Sequence, residues 1–254
     1  MLEERRSKIV GKLKYERTLK VNALTQEFSV SIETIRRDLE FLENKGYLKR
    51  VYGGAIRIGS FGEEPSYAKR EVKNLEAKRA IAIEAAKLIE NGDTVFFDIG
   101  TTCLEVAHLL ADKKDITVIT NSMMIAKDLA DFPSCRVYFL GGDVRKGELS
   151  TSGTLTNAAI MRFNADKAII GAAGIALESG ITDYNLEEAH VRAQMIERSK
   201  YSIVVADSSK FGVIAVDTVC MLDKVGVIIT DTNIPKDIKK ELKAASIETV
   251  YVAL

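Results

Sequence analysis

The stretch Ser31-Ile32-Glu33-Thr34-Ile35-Arg36-Arg37-Asp38-Leu39-Glu40-Phe41-Leu42 decides how the first quarter of the chain is read. Ser31 is a residue type whose hydroxyl caps the free N–H groups at a helix start. Behind it Ile35, Leu39 and Leu42 recur at i, i+4 and i+7, which predicts a helix over 32–45 with that face inward. Gly46 follows, where a helix end favours a residue free to turn left-handed. Upstream, 3–16 reads as a helix with Ile9, Val10 and Leu13 in one stripe, 18–20 as a short strand, and 21–28 as a short helix with Leu24 and Phe28 inward. Ser29-Val30 makes the tight turn between the two later helices. Downstream, Tyr47–Tyr52 and Ala55–Ile58 flank Gly53-Gly54, a hairpin signal. Helix, helix, turn, helix and hairpin is the order of a winged helix-turn-helix, placed at 1–58.

In such a unit the third helix enters the major groove and its first residues meet base edges. Ser31, Glu33, Thr34, Arg36 and Arg37 occupy that position. Arginine pairs bidentately with guanine or neutralises phosphate, and hydroxyls bond phosphates or bases. In the wing, Lys49, Arg50 and Tyr52 precede the glycine turn and Arg57 follows it. Taken alone, Arg36-Arg37 reads more readily as a solvated helix face, and winged helices also serve protein contacts. The full order of elements, with positive charge on both recognition helix and wing, favours DNA. Charge agrees: residues 1–60 carry 13 Lys/Arg against 8 Asp/Glu, so the rest of a chain that is neutral overall is net acidic.

Gly59, Ser60, Gly62, Pro65 and neighbouring charges mark 59–73 as a linker. A helix is predicted over 75–91, with Ile81, Ala85 and Ile89 on one face. Beyond it, apolar runs at 94–98, 116–120, 136–140, 167–171, 201–206, 225–230 and 248–252 alternate with helical stretches, which predicts an α/β domain over 74–254 with a mostly parallel sheet. An apolar fraction of 46% and charged fraction of 28% suit a globular chain with a large core. No apolar run is long enough to span a bilayer, and the first residues lack the apolar stretch of a signal peptide. Three cysteines, widely spaced and without a CxxC, read as reduced thiols in a cytoplasmic protein, and with two histidines no metal centre is expected.

Ligands of open α/β sheets sit beyond the carboxyl ends of the strands. Small, polar and charged residues recur there: Asp98-Ile-Gly100-Thr101-Thr102, then Thr120-Asn121-Ser122, then Gly141-Gly142 with Arg145, then Gly171 and Gly174, then Asp207-Ser-Ser-Lys210-Phe-Gly212. One ligand-binding edge accounts for the repetition. Gly100 lets backbone approach a ligand, and two threonine hydroxyls with helix-start amides can surround an anion. Lys210 and Arg145 can add positive charge, and Asp98 can accept hydrogen bonds from sugar hydroxyls. Read singly, Asp98 and Thr101 fit helix capping, and Lys210 fits a surface lysine. His108 and His190 read as ordinary helix residues, and Cys103 as an inert small residue.

Val30-Ser-x-x-Thr-Ile-Arg-Arg-Asp-Leu39, Leu42-Glu43, Gly46, Leu48-x-Arg50 and Gly53-Gly54-Ala55 resemble the N-terminal signature of the DeoR family of bacterial sugar-metabolism repressors. The resemblance covers nearly the whole chain, through Asp98-x-Gly-Thr-Thr102, Thr120-Asn121, Gly141-Gly142 with Arg145, and Asp207-x-Ser-Lys-Phe-Gly212. It implies a second domain similar to ribose-5-phosphate isomerase that binds phosphorylated sugar intermediates. It also implies a role for Glu188 and matches Lys78, while Glu187 faces solvent and Asp183 falls where family members vary.

The expectation is therefore a regulator that holds double-stranded operator DNA and is released by a phosphorylated sugar or sugar alcohol. It would have no catalytic residue, cofactor or metal, and would act as a homodimer or higher homo-oligomer to meet two half-sites. The competing readings are a sugar-phosphate isomerase with an appended DNA-binding domain, whose proton-transfer groups would be Asp98, Glu188, Asp207 and Lys210, and a winged helix that binds protein.

Overall fold

The computed structural model describes residues 2–13, 18–45, 47–51, 53–57 and 64–254. The chain divides into two compact units, Met1–Gly62 and Glu63–Leu254.

In the first unit the elements run α1 (Leu2–Leu13), β1 (Thr18–Lys20), α2 (Val21–Phe28), α3 (Ile32–Asn44), β2 (Leu48–Val51) and β3 (Gly54–Arg57). The strands form an antiparallel sheet in the order β1-β3-β2. Ser29 turns the chain between α2 and α3 in the left-handed conformation, with φ 51°. Ser31 then caps α3, its Oγ accepting from the Thr34 N–H at 3.2 Å. Ile35, Leu39 and Leu42 are buried with Ile9, Leu13, Leu24 and Leu48 in one core. Asp38 is buried too, and both Arg5 Nε (2.6 Å) and Arg6 Nε (2.8 Å) donate to it, so α1 is clasped onto α3 by charge as well as by apolar packing. Gly46 and Tyr52 lie outside the described residues.

The second unit begins with α4 (Tyr67–Val72) and α5 (Leu75–Lys87), then β4 (Thr94–Phe97), α6 (Thr101–His108), β5 (Ile116–Thr120), α7 (Met123–Ala130) and β6 (Cys135–Phe139). It continues with the hairpin β7 (Asp143–Arg145) and β8 (Ser150–Ser152), α8 (Thr154–Ile160), β9 (Ala165–Ile170), β10 (Gly174–Ala176), β11 (Gly180–Asp183), α9 (Leu186–Glu197) and β12 (Ser199–Val205). The last elements are β13 (Asp217–Cys220), β14 (Val227–Asp231), α10 (Lys236–Ala244) and β15 (Thr249–Val252). Seven strands form one parallel sheet in the order β15-β14-β12-β9-β4-β5-β6. Residues of α5, α6 and α7 bury one face of it, and residues of α8, α9 and α10 the other. A small antiparallel sheet, β10-β11-β13, packs beside α9.

The chain leaves β4 for β5 on one side and β9 for β12 on the other. The strand order therefore reverses between the neighbours β4 and β9, which opens a crevice at their carboxyl ends. All seven apolar runs coincide with these seven strands within two residues at either end.

The stretch read as a linker differs. Residues 58–63 lie outside the described residues, whereas Tyr67–Val72 is helical. The glycines and the proline dominate the composition of 59–73, but they all precede a run of Ala, Lys, Arg and Glu, which favour helix. The buried Lys78 ammonium donates to the carbonyls of Arg70 and Glu71 and so ties that helix down.

Gly54 sits where β3 crosses β1, and a Cβ there would lie 2.0 Å from the Leu19 carbonyl oxygen. Gly54→Ala is expected to lower the stability of the first unit by about 1–3 kcal/mol, since the overlapping atom is backbone and the strand pairing must shift. Urea unfolding followed by circular dichroism checks it.

Candidate functional site

A cavity of about 250 Å³ opens at the crevice between β4 and β9. Ile99–Cys103 after β4, Gly171–Ala173 after β9, and Val205, Ala206, Asp207, Ser209 and Lys210 at and after the end of β12 line it, together with Asp183, Tyr184, Glu188 and Arg192 and several residues of 64–78. Among the described residues six basic side chains line it, Lys69, Arg70, Lys73, Lys78, Arg192 and Lys210, against four acidic ones, Glu64, Asp183, Glu188 and Asp207. The described lining is thus net positive.

Gly100 begins α6 at φ 124° and ψ 157°, a conformation open essentially to glycine alone. Among the described residues no side chain caps this helix. Asp98 and Thr101, readable as caps in the sequence, do not act as caps, and the first amides of α6 start at the cavity wall between Gly100 and Cys103. Such amides carry the partial positive charge of a helix start and suit an anion.

Asp98 is 1% exposed and lies behind the cavity. Its Oδ2 accepts from Arg192 Nε at 2.5 Å and from the Gly171 N–H at 2.9 Å. Arg192 also donates to Asp183. Burial works against its charge, but the two carboxylates more than offset that and hold the guanidinium well above its ordinary pKa. The arrangement corrects the expectation for Asp98: its carboxylate meets Arg192, and Arg192 meets the cavity.

Asp207 likewise serves the protein. Its Oδ1 accepts from Asn74 Nδ2 at 2.8 Å and from the Ser209 N–H at 3.0 Å, fixing the turn that carries Lys210. Lys210 is half-buried, and burial pushes its ammonium below the ordinary value; Asp207 opposes that while Arg70 and Lys73 add to it. Lys78 is shifted down for the same first reason.

Glu188 follows the Asn185 cap of α9. It accepts from Ser150 Oγ at 2.8 Å and from Arg145 Nη1 at 2.5 Å. Burial nevertheless dominates and pushes its carboxyl up to about 7. Arg145, which does not line the cavity, bridges Glu188 to Glu64.

The remaining strand-end residues are built into the frame. Thr120 Oγ1 accepts from the Ser122 N–H at 3.0 Å, Asn121 Nδ2 donates to the Thr151 carbonyl at 2.8 Å, and Ser122 caps α7. The Gly141 carbonyl accepts from Thr156 Oγ1 at 2.8 Å, and a Cβ on Gly142 would come within 2.5 Å of the Ser152 carbonyl oxygen. Together they position the β7–β8 hairpin, and none lines the cavity. Cys103 is fully buried, which pushes its thiol well above the ordinary value and leaves it inert. His108 is exposed beside Asp128, and His190 is exposed on α9.

On the first unit Glu33, Arg36 and Arg37 are exposed on α3, with Ser31 and Thr34 at its start. Glu33 and Arg36 lie 3.8 Å apart. Arg50 is engaged inside the unit: its Nε and its backbone N–H both donate to Glu43, at 2.6 and 2.8 Å, joining the wing to α3. The side chains of Lys49 and Arg57 and all of Tyr52 fall outside the described residues.

Sequence reasoning missed Arg192, Arg70, Glu64 and Glu148. For Arg192 the available signal was its i+4 position from Glu188, which places both on one helical face.

The chain matches the family model described as the DeoR-like helix-turn-helix domain over residues 5–61, and that of the DeoR C terminal sensor domain over 73–232. It is 37% identical over 252 residues to the transcriptional repressor AccR of Agrobacterium fabrum, covering 96% of this chain and 98% of that protein. It is 34% identical to the regulator GlpR of Haloferax volcanii, with 97% and 96% coverage. It is 31% identical to the glycerol-3-phosphate regulon repressor of Escherichia coli, with 94% of each covered. Among solved structures, ribose 5-phosphate isomerase A from Methanocaldococcus jannaschii aligns over 55% of each chain at 15% identity and a TM-score of 0.41.

A buried carboxyl raised to about 7 takes up more protons in the folded than in the unfolded state between its two pKa values. Its contribution to stability is therefore greatest at low pH and declines as pH rises from about 4.5 to 7. Glu188→Gln is expected to remove that decline, so that the urea midpoints of wild type and variant diverge across the window. Parallel midpoints would show that Glu188 titrates normally.

Proposed function

The chain belongs to the DeoR family of transcriptional regulators, and on that premise we propose that it represses a sugar or polyol catabolic operon and leaves its operator when a phosphorylated intermediate enters the cavity. In this reading residues 1–58 bind DNA and 74–254 bind the effector, and the protein works in the cytoplasm as a homodimer or higher homo-oligomer. The relatives named above are regulators, one of them of a glycerol-3-phosphate regulon, and match 94–97% of this chain.

The observation that carries the effector class is the start of α6. Amides without a side-chain cap meet the cavity beside Thr101 and Thr102, and the half-buried Lys210 lines the same space with no side-chain partner among the described residues. Uncapped amides and a desolvated ammonium favour a phosphate over a neutral group. Glu188, Tyr184 and Arg192 remain for hydroxyls.

The same geometry speaks against isomerase chemistry. A carboxylate acting as general base must lie within reach of the substrate and be free to take its proton. Asp98 is held by Arg192 and Gly171, Asp207 by Asn74 and Ser209, and Glu188 by Ser150 and Arg145. Each carboxylate is engaged in holding the site's shape.

On DNA, α3 offers Arg36 and Arg37 outward from a rigid apolar stripe. For an arginine on a phosphate, Arg37→Ala should lower the slope of log affinity against log salt by about 1, with affinity lost evenly across sequences. Fluorescence anisotropy on the DNA upstream of the protein's own gene measures it. A loss confined to one base-pair context would instead assign Arg37 to base readout.

The effector class is tested by thermal unfolding with paired phosphorylated and unphosphorylated sugars and polyols. A ligand at a hundred times its dissociation constant adds about 2.7 kcal/mol. One phosphorylated compound should raise the midpoint and release DNA, its unphosphorylated partner should not, and Thr101→Val and Lys210→Ala should weaken the response. A response only to unphosphorylated sugars would overturn the phosphate assignment.

A further inference from the structure

Three of the six basic side chains facing the cavity, Lys69, Arg70 and Lys73, come from the segment 64–73 that joins the sensing unit to the DNA-binding unit. Within the sensing unit this segment is held by an alternating chain of charge. Glu148 pairs with Arg70, Arg70 with Glu64 at 3.4 Å, Glu64 with Arg145, and Arg145 with Glu188 at 2.5 Å. Glu64 and Arg70 belong to the joining segment, and Glu148, Arg145 and Glu188 to the body of the domain. Glu188 lines the cavity at one end of the chain, and Glu148 lies in the turn of the β7–β8 hairpin at the other.

Arg70 is the pivotal member. One of its terminal nitrogens, Nη2, is shared between Glu148 and Glu64. Its Nε is buried and has no hydrogen-bond partner among the described residues, although the residue lines the cavity. A buried N–H without an acceptor is costly, and the cost is relieved when something accepts from it. The half-buried Tyr67 ring lies 5.7 Å from the guanidinium, and Lys78 binds the Arg70 carbonyl, so side chain and backbone are both positioned. The chain also holds three carboxylates to two guanidiniums, so an anion that engages Arg70 competes directly with Glu148 and Glu64 for it.

We infer that Arg70 is an effector-binding residue, and that through it the segment 64–73 reports occupancy of the cavity to the DNA-binding unit. The inference rests on the cavity being an anion site. An anion entering beside Lys210 accepts from Arg70 Nε, weakens the hold of Glu148, and so shifts the equilibrium between latched and released positions of the segment. Ligand and DNA are then coupled because each favours one position.

Inorganic phosphate is the probe, titrated by calorimetry into the full-length protein and four variants, with amide hydrogen exchange followed at 67–72. In wild type, phosphate should bind and change exchange across 67–72. Arg70→Gln should weaken phosphate binding at least tenfold and abolish the exchange response. Arg70→Lys, which keeps the charge and guards against misfolding, should fall between. Glu148→Gln should speed exchange at 67–72 without phosphate while leaving phosphate affinity equal or higher.

If both Arg70 variants bind phosphate like wild type while Lys210→Ala does not, the role of Arg70 is overturned and the anion site stands. If phosphate binds wild type but leaves exchange at 67–72 unchanged, the reporting role is overturned. If wild type and Lys210→Ala both fail to bind phosphate, the anion site and this inference fall together.

Discussion

The second unit depends on one buried interaction, the guanidinium of Arg192 held between Asp98 and Asp183. Arg192 is 3% exposed, so its charge is tolerable only while both carboxylates stay in place. Those carboxylates come from the end of β4 and the end of β11, and the arginine from α9. The cluster therefore fixes the distance from the parallel sheet to the small antiparallel sheet and to the helix that covers them. Gly171 donates to the same Asp98 oxygen, which joins the end of β9 to that of β4 across the point where strand order reverses. The floor of the cavity follows: Gly100, Thr101 and the first amides of α6 extend directly from a strand end that Arg192 holds. Breaking such a cluster by removing one partner strands a buried charge, which is far costlier than losing a surface pair. This rigidity gives Asp98 a place in the frame of the unit.

Much of this architecture is legible in the sequence because parallel strands buried on both faces read as continuous apolar runs. The strand ends were equally legible as a set, since polar and small residues recur after each run. What could not be read is which of them turn inward. Thr120-Asn121-Ser122 and Gly141-Gly142 have the composition of a ligand loop, but Asn121 Nδ2 is spent on the Thr151 carbonyl, Thr120 and Ser122 on the local turn and the cap of α7, and the Gly141 carbonyl on Thr156. That outcome depends on a hairpin about thirty residues downstream of Asn121, which no local pattern encodes. Arg192 was hidden for a related reason. Arginine is almost never fully buried unless paired, and α9 carries charged residues on several faces, so its spacing from Glu188 looks like an ordinary surface pair. Segment 64–73 was hidden by its own first residues, whose glycines and proline outweigh the short helix behind them.

The first unit shows the same division. Its apolar stripe at 35, 39 and 42 is a local signal and is found buried as read. Asp38 lies on the same side of the helix, and a charge there is tolerable only because Arg5 and Arg6 reach it from α1. Arg50 looks like a wing contact in the sequence, yet Glu43 engages it through both side chain and backbone. The consequence for α3 is favourable. With its inner face held by α1 and its end tied to the wing, Arg36 and Arg37 leave a rigid helix instead of a fraying one, and a rigid reader loses less conformational freedom on binding DNA.

The two kinds of ion pair in the sensing unit differ in what they permit. The Arg192 cluster is buried and each of its charges is paired, so opening it would strand a charge and a ligand touching that floor meets a fixed surface. Such contacts add affinity but no coupling, because a ligand shifts an equilibrium only by as much as it distinguishes the two states. The chain through Glu64, Arg70 and Arg145 is different in kind. Glu64, Arg70 and Arg145 are 14–26% exposed, while the end carboxylates Glu148 and Glu188 are 7% and 3% exposed. The partly hydrated pairs are thus those of Glu64, and the two guanidiniums each serve two carboxylates. Partly hydrated pairs with shared partners exchange at little cost, whereas a buried pair cannot open without stranding a charge. On the proposed function, a site with a fixed floor and an exchangeable wall would separate the two tasks: the floor would set which molecule is held, and the wall, built on the segment continuous with the DNA-binding unit, how strongly holding it is felt there. Coupling of only a few kcal/mol is enough for such a regulator, and re-pairing a handful of half-buried charges is an energy change of that size.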